Sequence, residues 1–446
     1  MPFAETWTRS YRSLPRLPDP FGRSFSVRGT QNKQRKQVLI LRNIFVYLSV
    51  FMLACISLSP ALPGALAEDA GVTPFVRAGG SFGYAVSSDG KIWGWGDNGK
   101  GQLGTGDTKR VKTPSPAALG LDGSEILDIA CGNVASLFLM RDGTVWSVGN
   151  NNYGQQGQGK DAPAIMKEPV QVKGLENVVQ VSSGFGQCMA LTGDGSVYVW
   201  GRNDYGQLGL GDRKARNEPE KLDLQHVTYV CCGGKFSMAM DENGDIWGWG
   251  DNEHGQLLEA SKRKRVLTPT KLSISGRFVQ IACGGDHALG IDGDGRLWAW
   301  GRNDYYQLGT KTKGKIVEEP IAVTFPEGYE NVRIARVYAY NSHTAAVSEN
   351  GALWVWGSVY HGQMGNGVTA SKSLPMEPCP AEGVVEADVG SLQTYALLED
   401  GSLMGCGCNE YSQTGAFKWK ADYYVRSWKD TGLNLMTGTW QDPGND

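Results

Sequence analysis

The sequence predicts an all-β protein, a seven-bladed β-propeller built from seven repeats of about 50 residues. Three observations carry that expectation. An alternating aromatic run ending in Gly recurs seven times: IWGWG to Gly96, VWSVG to Gly149, VYVWG to Gly201, IWGWG to Gly250, LWAWG to Gly301, LWVWG to Gly357 and LMGCG to Gly407, at intervals of 53, 52, 49, 51, 56 and 50 residues. Six residues before each of these glycines stands a turn dipeptide: Asp89-Gly90, Asp142-Gly143, Asp194-Gly195, Asn243-Gly244, Asp294-Gly295, Asn350-Gly351 and Asp400-Gly401. Finally, 61 Gly against 19 Pro, with 14 Trp, in 446 residues is the composition of many short strands joined by tight turns.

Taken in chain order, residues 1–67 stand apart from the repeats. Residues 1–43 hold nine Lys or Arg against Glu5 and Asp19, and residues 44–67 hold no charge. The uncharged run IFVYLSVFMLACISLS (44–59) leads through Pro60 and Pro63 to Ala65-Leu66-Ala67. A basic stretch, an apolar stretch and a small-x-small site are the order of an export signal. The expectation is a basic n-region plus hydrophobic signal, cleaved after Ala67 or retained as an anchor over residues 44–62, and hence an exported, extracellular or cell-surface protein. The remaining residues 68–446 carry 34 basic and 44 acidic side chains, net −10. An acidic body repels phosphate backbones, so no nucleic-acid partner is expected.

Residues 68–415 hold the seven units. In each, an Asp-Gly or Asn-Gly dipeptide between two alternating runs predicts a hairpin with a type I′ turn. Ten of the 14 Trp lie one or three residues before the terminal Gly of a unit. Positions i and i+2 of a strand share a face, so Trp93 with Trp95, Trp247 with Trp249, Trp298 with Trp300 and Trp354 with Trp356 project together. They are expected to pack between adjacent sheets, with the Gly between Trp93 and Trp95 admitting the next sheet. Each unit then supplies a four-stranded sheet that needs only its neighbours, which lets a long chain avoid one oversized core. Repeat 7 is the most degenerate, with Met404 and Cys406 at the Trp positions and Ser412 for the Gly of Gly-Gln. The aromatic tail 416–446, with Trp419, Tyr423, Tyr424, Trp428 and Trp440, is expected to pack on or close the last blade.

These residues resemble the regulator of chromosome condensation repeat family. Its signature joins a hydrophobic-small-small-Gly-x-x-His strand to a Trp-Gly-x-Asn-x-x-Gly-Gln-Leu-Gly stretch. The first stands as IACGGDHALGI at 281–291, and GQL stands at 101–103, 206–208 and 255–257. The resemblance covers about residues 75–415 and implies the same seven-bladed fold. The signature His survives as His287 and His343, with Phe82, Ala135, Gln187, Phe236 and Gln393 elsewhere. A residue at one strand position in two units of seven reads as a structural, hydrogen-bonded His rather than a base or ligand.

No catalytic constellation stands out, and neither a metal nor a cofactor is expected. Asp292-Gly293-Asp294-Gly295 begins like a calcium loop but lacks the further ligands such a loop needs, and the turn reading prevails. Cys131, Cys232 and Cys283 share one repeat position, the mark of a small buried residue rather than a disulfide. Asn98, Asn151, Asn203, Asn252, Asn303 and Asn409 hold one turn position. Variation within this frame is where specificity belongs. Four residues after each terminal Gly stand Lys100, Tyr153, Tyr205, His254, Tyr305, His361 and Tyr411. By pseudo-symmetry they form a ring on one face, and Tyr gives large rigid contact area at low entropy cost. The candidate partner-binding residues are therefore Tyr153, Tyr205, His254, Tyr305, His361 and Tyr411, with Arg202 and Arg302 beside them to meet acidic groups. Packing of each Tyr on its own loop is the competing reading. Basic loops at Lys262, Arg263, Lys264 and Arg265 and at Lys311, Lys313 and Lys315 are a second candidate, against ordinary solvated charge.

The function these features point to is an exported, non-enzymatic, monomeric propeller that binds a protein partner through one face. A glycan partner is the alternative, since Tyr rings also stack on sugars. The resemblance implies two further roles: inhibition of a cell-wall-related enzyme, and guanine-nucleotide exchange in a host cell, whose inserted elements find no match here. Light sensing, which the family bases on a Gly-Trp-Arg-His-Thr string, finds no such string.

Overall fold

A computed structural model describes residues 72–258, 264–312, 316–367, 378–379, 381, 383–415 and 424–443. The expected export segment 1–67, the aromatic residues Trp419 and Tyr423, and Lys262, Arg263, Lys313 and Lys315 lie outside the described residues.

Seven antiparallel sheets succeed one another along the chain. Blade 1 is β1 (Phe75–Ala78), β2 (Phe82–Val86), β3 (Ile92–Gly96) and β4 (Val111–Pro116); blade 2 is β5 (Ile126–Cys131), β6 (Ala135–Met140), β7 (Val145–Asn150) and β8 (Ile165–Gln171). Blade 3 is β9 (Val178–Ser183), β10 (Gln187–Thr192), β11 (Val197–Gly201) and β12 (Arg216–Lys221); blade 4 is β13 (Val227–Cys232), β14 (Phe236–Asp241), β15 (Ile246–Asp251) and β16 (Arg265–Lys271). Blade 5 is β17 (Phe278–Cys283), β18 (His287–Asp292), β19 (Leu297–Arg302) and β20 (Ile316–Ala322). Two blades depart from the expected four strands. Among the described residues blade 6 has three, β21 (Ile334–Tyr340), β22 (His343–Ser348) and β23 (Leu353–Gly357). Blade 7 has five, β24 (Val384–Val389), β25 (Gln393–Leu398), β26 (Ser402–Cys408), β27 (Tyr424–Asn434) and β28 (Thr439–Trp440), the last two supplied by the C-terminal segment.

The first strands of successive blades touch in turn, β1 to β5, β9, β13, β17, β21 and β24, and β24 returns to β1. That circuit is a closed ring around a central channel, which leaves the inner sheet edges short and shielded by their neighbours. A backbone belt reinforces it at one end: Gly80 donates to Gly132, Asn133 to Gly184, Gly234 to Gly284, Gly285 to Asn341, and Ser391 back to Gly80.

The hairpin turns are not the expected type I′. Only the Gly takes positive φ, 76° at Gly90 and 77–79° at Gly143, Gly195, Gly244, Gly295 and Gly351. Gly90 N–H donates to Ser87 while Ser87 N–H pairs with Lys91, which is a type I turn ending in a left-handed Gly. The Asp side chain explains the choice. Asp142 Oδ1 accepts from Thr144 N–H and Asp400 Oδ1 from Ser402 N–H, bonds that hold the Asp in ordinary right-handed backbone. Asp292 accepts from Asp294 N–H, Arg296 N–H and Trp298 Nε1, so its carboxylate is spent on the turn.

Between blades lie the apolar layers. Val76, Trp93 and Trp95 of blade 1 pack with Tyr395, Leu397, Leu403 and Leu433 of blade 7, and the same arrangement recurs around the ring. Burying one such Trp contributes on the order of 3–5 kcal/mol, judged by truncation. The Gly between Trp93 and Trp95 does not admit the next sheet as expected. A Cβ on Gly94 would instead meet Leu103 and Tyr84 of the same blade at 3.4 Å. The cysteines 131, 188, 231, 232, 283, 379, 406 and 408 are all free thiols, and burial pushes Cys188 up to about 12.

The signature His position is structural. His287 Nε2 pairs with Thr344 Oγ1 of the next blade at 3.0 Å. Two of the substitutes do the same work, Gln187 Nε2 donating to Gly233 at 2.7 Å and Gln393 Nε2 to Gly79 at 2.9 Å, while Phe82, Ala135 and Phe236 have no side-chain donor there.

Candidate functional site

Each blade presents one loop, leaving the end of its third strand and built around a buried Gln. The backbone N–H of Lys100, Tyr153, Tyr205, His254, Tyr305, His361 and Tyr411 donates to the side-chain oxygen of Gln102, Gln155, Gln207, Gln256, Gln307, Gln363 and Gln413 respectively, all at 2.7–2.9 Å. The turn Asn closes the loop from its other end by accepting a backbone N–H five residues on, as Asn98 does from Leu103 and Asn203 from Leu208. This is a longer reach than an Asx turn. Seven equal bonds give seven equivalent places at one face of the ring, and a loop pinned at both ends presents its fourth residue rigidly.

The Gln backbone carbonyl faces the next blade. Gln155 accepts from Trp200 Nε1, Gln207 from Trp249, Gln256 from Trp300, Gln307 from Trp356 and Gln413 from Trp95. The Trp residues expected between sheets are thus the fasteners of the loops that carry the face.

Around the ring the candidate residues separate into two neighbourhoods. Across blades 2–4, the Arg202 guanidinium lies 4.9 Å from the Tyr153 ring centroid and 5.8 Å from that of Tyr205. Lys235 and Arg265 lie 4.5 and 5.1 Å from the Tyr205 ring. Across blades 5–7, Arg302, Tyr305, Asn341, Ser342, Ser358, Tyr360, His361, Ser391 and Leu392 line an open pocket of about 440 Å³. Tyr305 and Tyr360 are 39% and 55% exposed there, and His361 stacks edge-on with Tyr424 at 4.8 Å. Tyr411 is joined by Arg110, 5.0 Å from its ring.

Arg302 is already engaged: it bonds Asp304 at 2.7 Å and Asp286 at 3.1 Å. Arg202 bonds Asp204 at 2.7 Å. Its other nitrogens are left to the Tyr rings. His254 stands 3.9 Å from Asp286. Burial, with Glu253 and Asp286 nearby, raises the Asp251 carboxyl, against the opposing charge of Lys235. Of the basic loops, Lys264, Arg265 and Lys311 are described and exposed.

Sequence reasoning missed Tyr360, Lys235 and the contact of Phe185 with Tyr340, 5.4 Å between ring centroids. A signal for Lys235 existed. The residue before the signature His position accepts a backbone bond from the residue after the terminal Gly, as Asp286 does from Arg302 and Lys235 from Asp251. Opposite charges at those paired positions mark them as neighbours.

Also missed was the polar lining where the ring closes. Arg77 of β1 bonds Asp128 of blade 2 at 2.8 Å and Glu386 of blade 7 at 2.7 Å. Val76 N–H and Ala78 N–H donate to Glu386 and Asp388. Burial would lower the Arg77 pKa, but Asp128, Glu386 and Asp388 hold it well above its ordinary value. Burial pushes Asp388 up to about 7, against the opposing effects of Arg77 and of the Ala78 and Val389 N–H donors.

The model of the RCC1-like domain matches residues 62–277 and 118–432. The chain is 31% identical over 346 residues to the Ultraviolet-B receptor UVR8 of Arabidopsis thaliana, covering 76% of this chain and 66% of the receptor. It is 32% identical over 278 residues to human Protein RCC2, covering 61% of this chain and 47% of that protein. Among solved structures, human WBSCR16 aligns with a TM-score of 0.64 at 28% identity over 74% of this chain and 91% of that one. Prp20p of Saccharomyces cerevisiae, whose structure is described with its binding properties to Gsp1p and histones, aligns with a TM-score of 0.67 at 23% identity over 76% and 85%. With seven Gly-turn units closed into one ring and a family match across them, the chain belongs to the RCC1-like domain family.

Proposed function

We propose that this propeller is a non-enzymatic binding module that engages a protein partner through the face carrying Tyr153, Tyr205, His254, Tyr305, His361 and Tyr411. The observation that carries this reading is the sevenfold Gln clamp, which presents one variable residue per blade on a rigid frame. Tyr153, Tyr305 and Tyr411 are 36–39% exposed, so the rings are not consumed by packing. Export rests on the order of charge and hydropathy in residues 1–67 and belongs to the same proposal.

Relatives of this fold bind proteins, Prp20p among them. The protein reading is favoured over the glycan one because Asp204 and Asp304, the carboxylates that would hold sugar hydroxyls, are engaged by Arg202 and Arg302. A photo-crosslinking side chain placed at Tyr305 or Tyr153 of the full chain tests the reading against the same group at Arg296 on the opposite face. A protein adduct formed at the Tyr sites alone supports it. Adducts formed equally from both faces, or from neither, count against it.

A further inference from the structure

We infer that the Tyr153–Arg202–Tyr205 array, with Lys235 and Arg265, is a docking patch for an acidic peptide segment of the protein partner. The inference rests on the binding-face reading and narrows it to blades 2–4.

Three cations converge on one ring. Lys235 Nζ, Arg265 Cζ and Arg202 Cζ lie 4.5, 5.1 and 5.8 Å from the Tyr205 centroid, and Arg202 also reaches 4.9 Å over Tyr153. The cations come from three separate stretches of chain. Arg202 follows the third strand of blade 3, Lys235 lies in the first hairpin of blade 4, and Arg265 opens β16. The loop of blade 3 rests on that strand so closely that a Cβ on Gly206 would stand 2.4 Å from Leu267 Cδ2. Gly206, at φ 82°, permits the approach that brings Arg265 to Tyr205.

Their charge is largely unspent. Arg202 has one carboxylate partner, Asp204, and neither Lys235 nor Arg265 has a carboxylate within ion-pair distance among the described residues. Asp251, whose backbone N–H donates to the Lys235 carbonyl, is 2% exposed. Gathering like charges around an aromatic face costs repulsion that the ring quadrupole only partly offsets. An incoming carboxylate relieves that repulsion and finds the cations already ordered, so little side-chain entropy is lost on binding. Arg202 between two Tyr rings offers its edge to a bidentate carboxylate.

An acidic peptide fits better than a nucleic acid. The patch spans two loops on a body of net −10, and a phosphate backbone extending beyond it meets that negative field. Asp204, 52% exposed at the patch edge, adds a local barrier to a continuous polyanion.

The test is fluorescence anisotropy of a labelled octaglutamate peptide with the full-length chain in about 50 mM salt, where screening is weak, beside an eight-nucleotide single-stranded DNA. The Lys235→Glu/Arg265→Glu pair is compared with Lys271→Glu/Arg296→Glu, an equal charge change at the opposite face, after both are shown to melt like the parent. Saturable peptide binding, weakened at least tenfold by the first pair and under threefold by the second, is the expected result. Absence of saturable peptide binding, equal loss in both charge pairs, or tighter binding of the oligonucleotide would overturn the inference. If the peptide fails to bind while crosslinking from Tyr305 still captures a protein, the binding-face reading stands and this assignment alone falls.

Discussion

Trp95 Nε1 donates to the backbone carbonyl of Gln413 at 3.2 Å, across 318 positions of sequence, and so joins the first blade to the last. The same indole meets Tyr395 Oη at 3.0 Å, and its ring lies edge-on to that Tyr at 5.4 Å. Blades 2–3, 3–4, 4–5 and 5–6 use the same Trp-to-Gln bond, so the ring closes with the device that builds it. Trp95→Phe keeps most of the buried area and removes one donor, while Tyr395 Oη still donates to the Gln413 carbonyl, and should cost about 0.5–1.5 kcal/mol. Trp95→Ala should cost about 3–5 kcal/mol. Urea denaturation of both variants checks the two values.

The channel side of the same seam is held by Arg77. Arg77→Met leaves Asp128, Glu386 and Asp388 without their common cation, and for side chains this partly exposed the loss should cost about 1.5–3 kcal/mol. Asp388 gives that seam a pH dependence. Its folded pKa of about 7 lies above the unfolded value of about 3.9, so the fold binds a proton the unfolded chain does not. Its contribution is full below pH ~4 and is lost as pH rises toward 7. Asp388→Asn should therefore stabilise the protein more at pH 8 than at pH 4, measured as the change in melting temperature at each.

Acid acts in the opposite sense on the two buried histidines. Burial holds His287 down to about 3, with His343 adding to the effect, and His343 down to about 4. Unfolded, both titrate near ~6.5, so below that pH the unfolded chain takes up protons that the fold refuses. The stability they allow is present above ~6.5 and lost as pH falls toward those folded values. His287→Gln, borrowing the residue that serves at Gln187 and Gln393, should preserve the fold and flatten the acid limb of the stability curve. An acid limb of unchanged slope would contradict this.

Ser412 holds a left-handed conformation, φ 62°, at the place where Gly101, Gly206 and Gly255 stand in other blades. An L-residue is destabilised there by about 1–2 kcal/mol relative to Gly. Ser412→Gly also loosens the unfolded chain, so a net gain of about 0.5–1 kcal/mol is expected, visible as a small rise in melting temperature.

How much of this was legible in the residues alone differs by level. The terminal Gly and its turn Gly marked every blade, because those positions depend on local backbone geometry that only a few residues satisfy. Turn type was misjudged because Asp142 and its equivalents spend their side chains on the turn, which favours right-handed backbone. The ring of Tyr and His was legible as one position per repeat. Its surroundings were less so. Tyr360 escaped because it lies one place before the ring residue His361, and the Tyr205 cluster escaped because Lys235 and Arg265 reach it through inter-blade register. Arg77, Asp128 and Glu386 stood as polar residues in the middle of otherwise apolar first strands. Only the circular order of the blades shows that they meet.

The central claim is that the Tyr and His face binds a protein. The most direct measurement is affinity capture from cell-envelope and culture-medium extracts with the full chain. The comparison is a variant with Tyr153, Tyr205, Tyr305 and Tyr411 changed to Ala and shown to remain folded. The account predicts a protein retained by the first and lost by the second, with binding of the purified partner reduced at least tenfold. Equal retention by both, or retention of no protein by either, would contradict it.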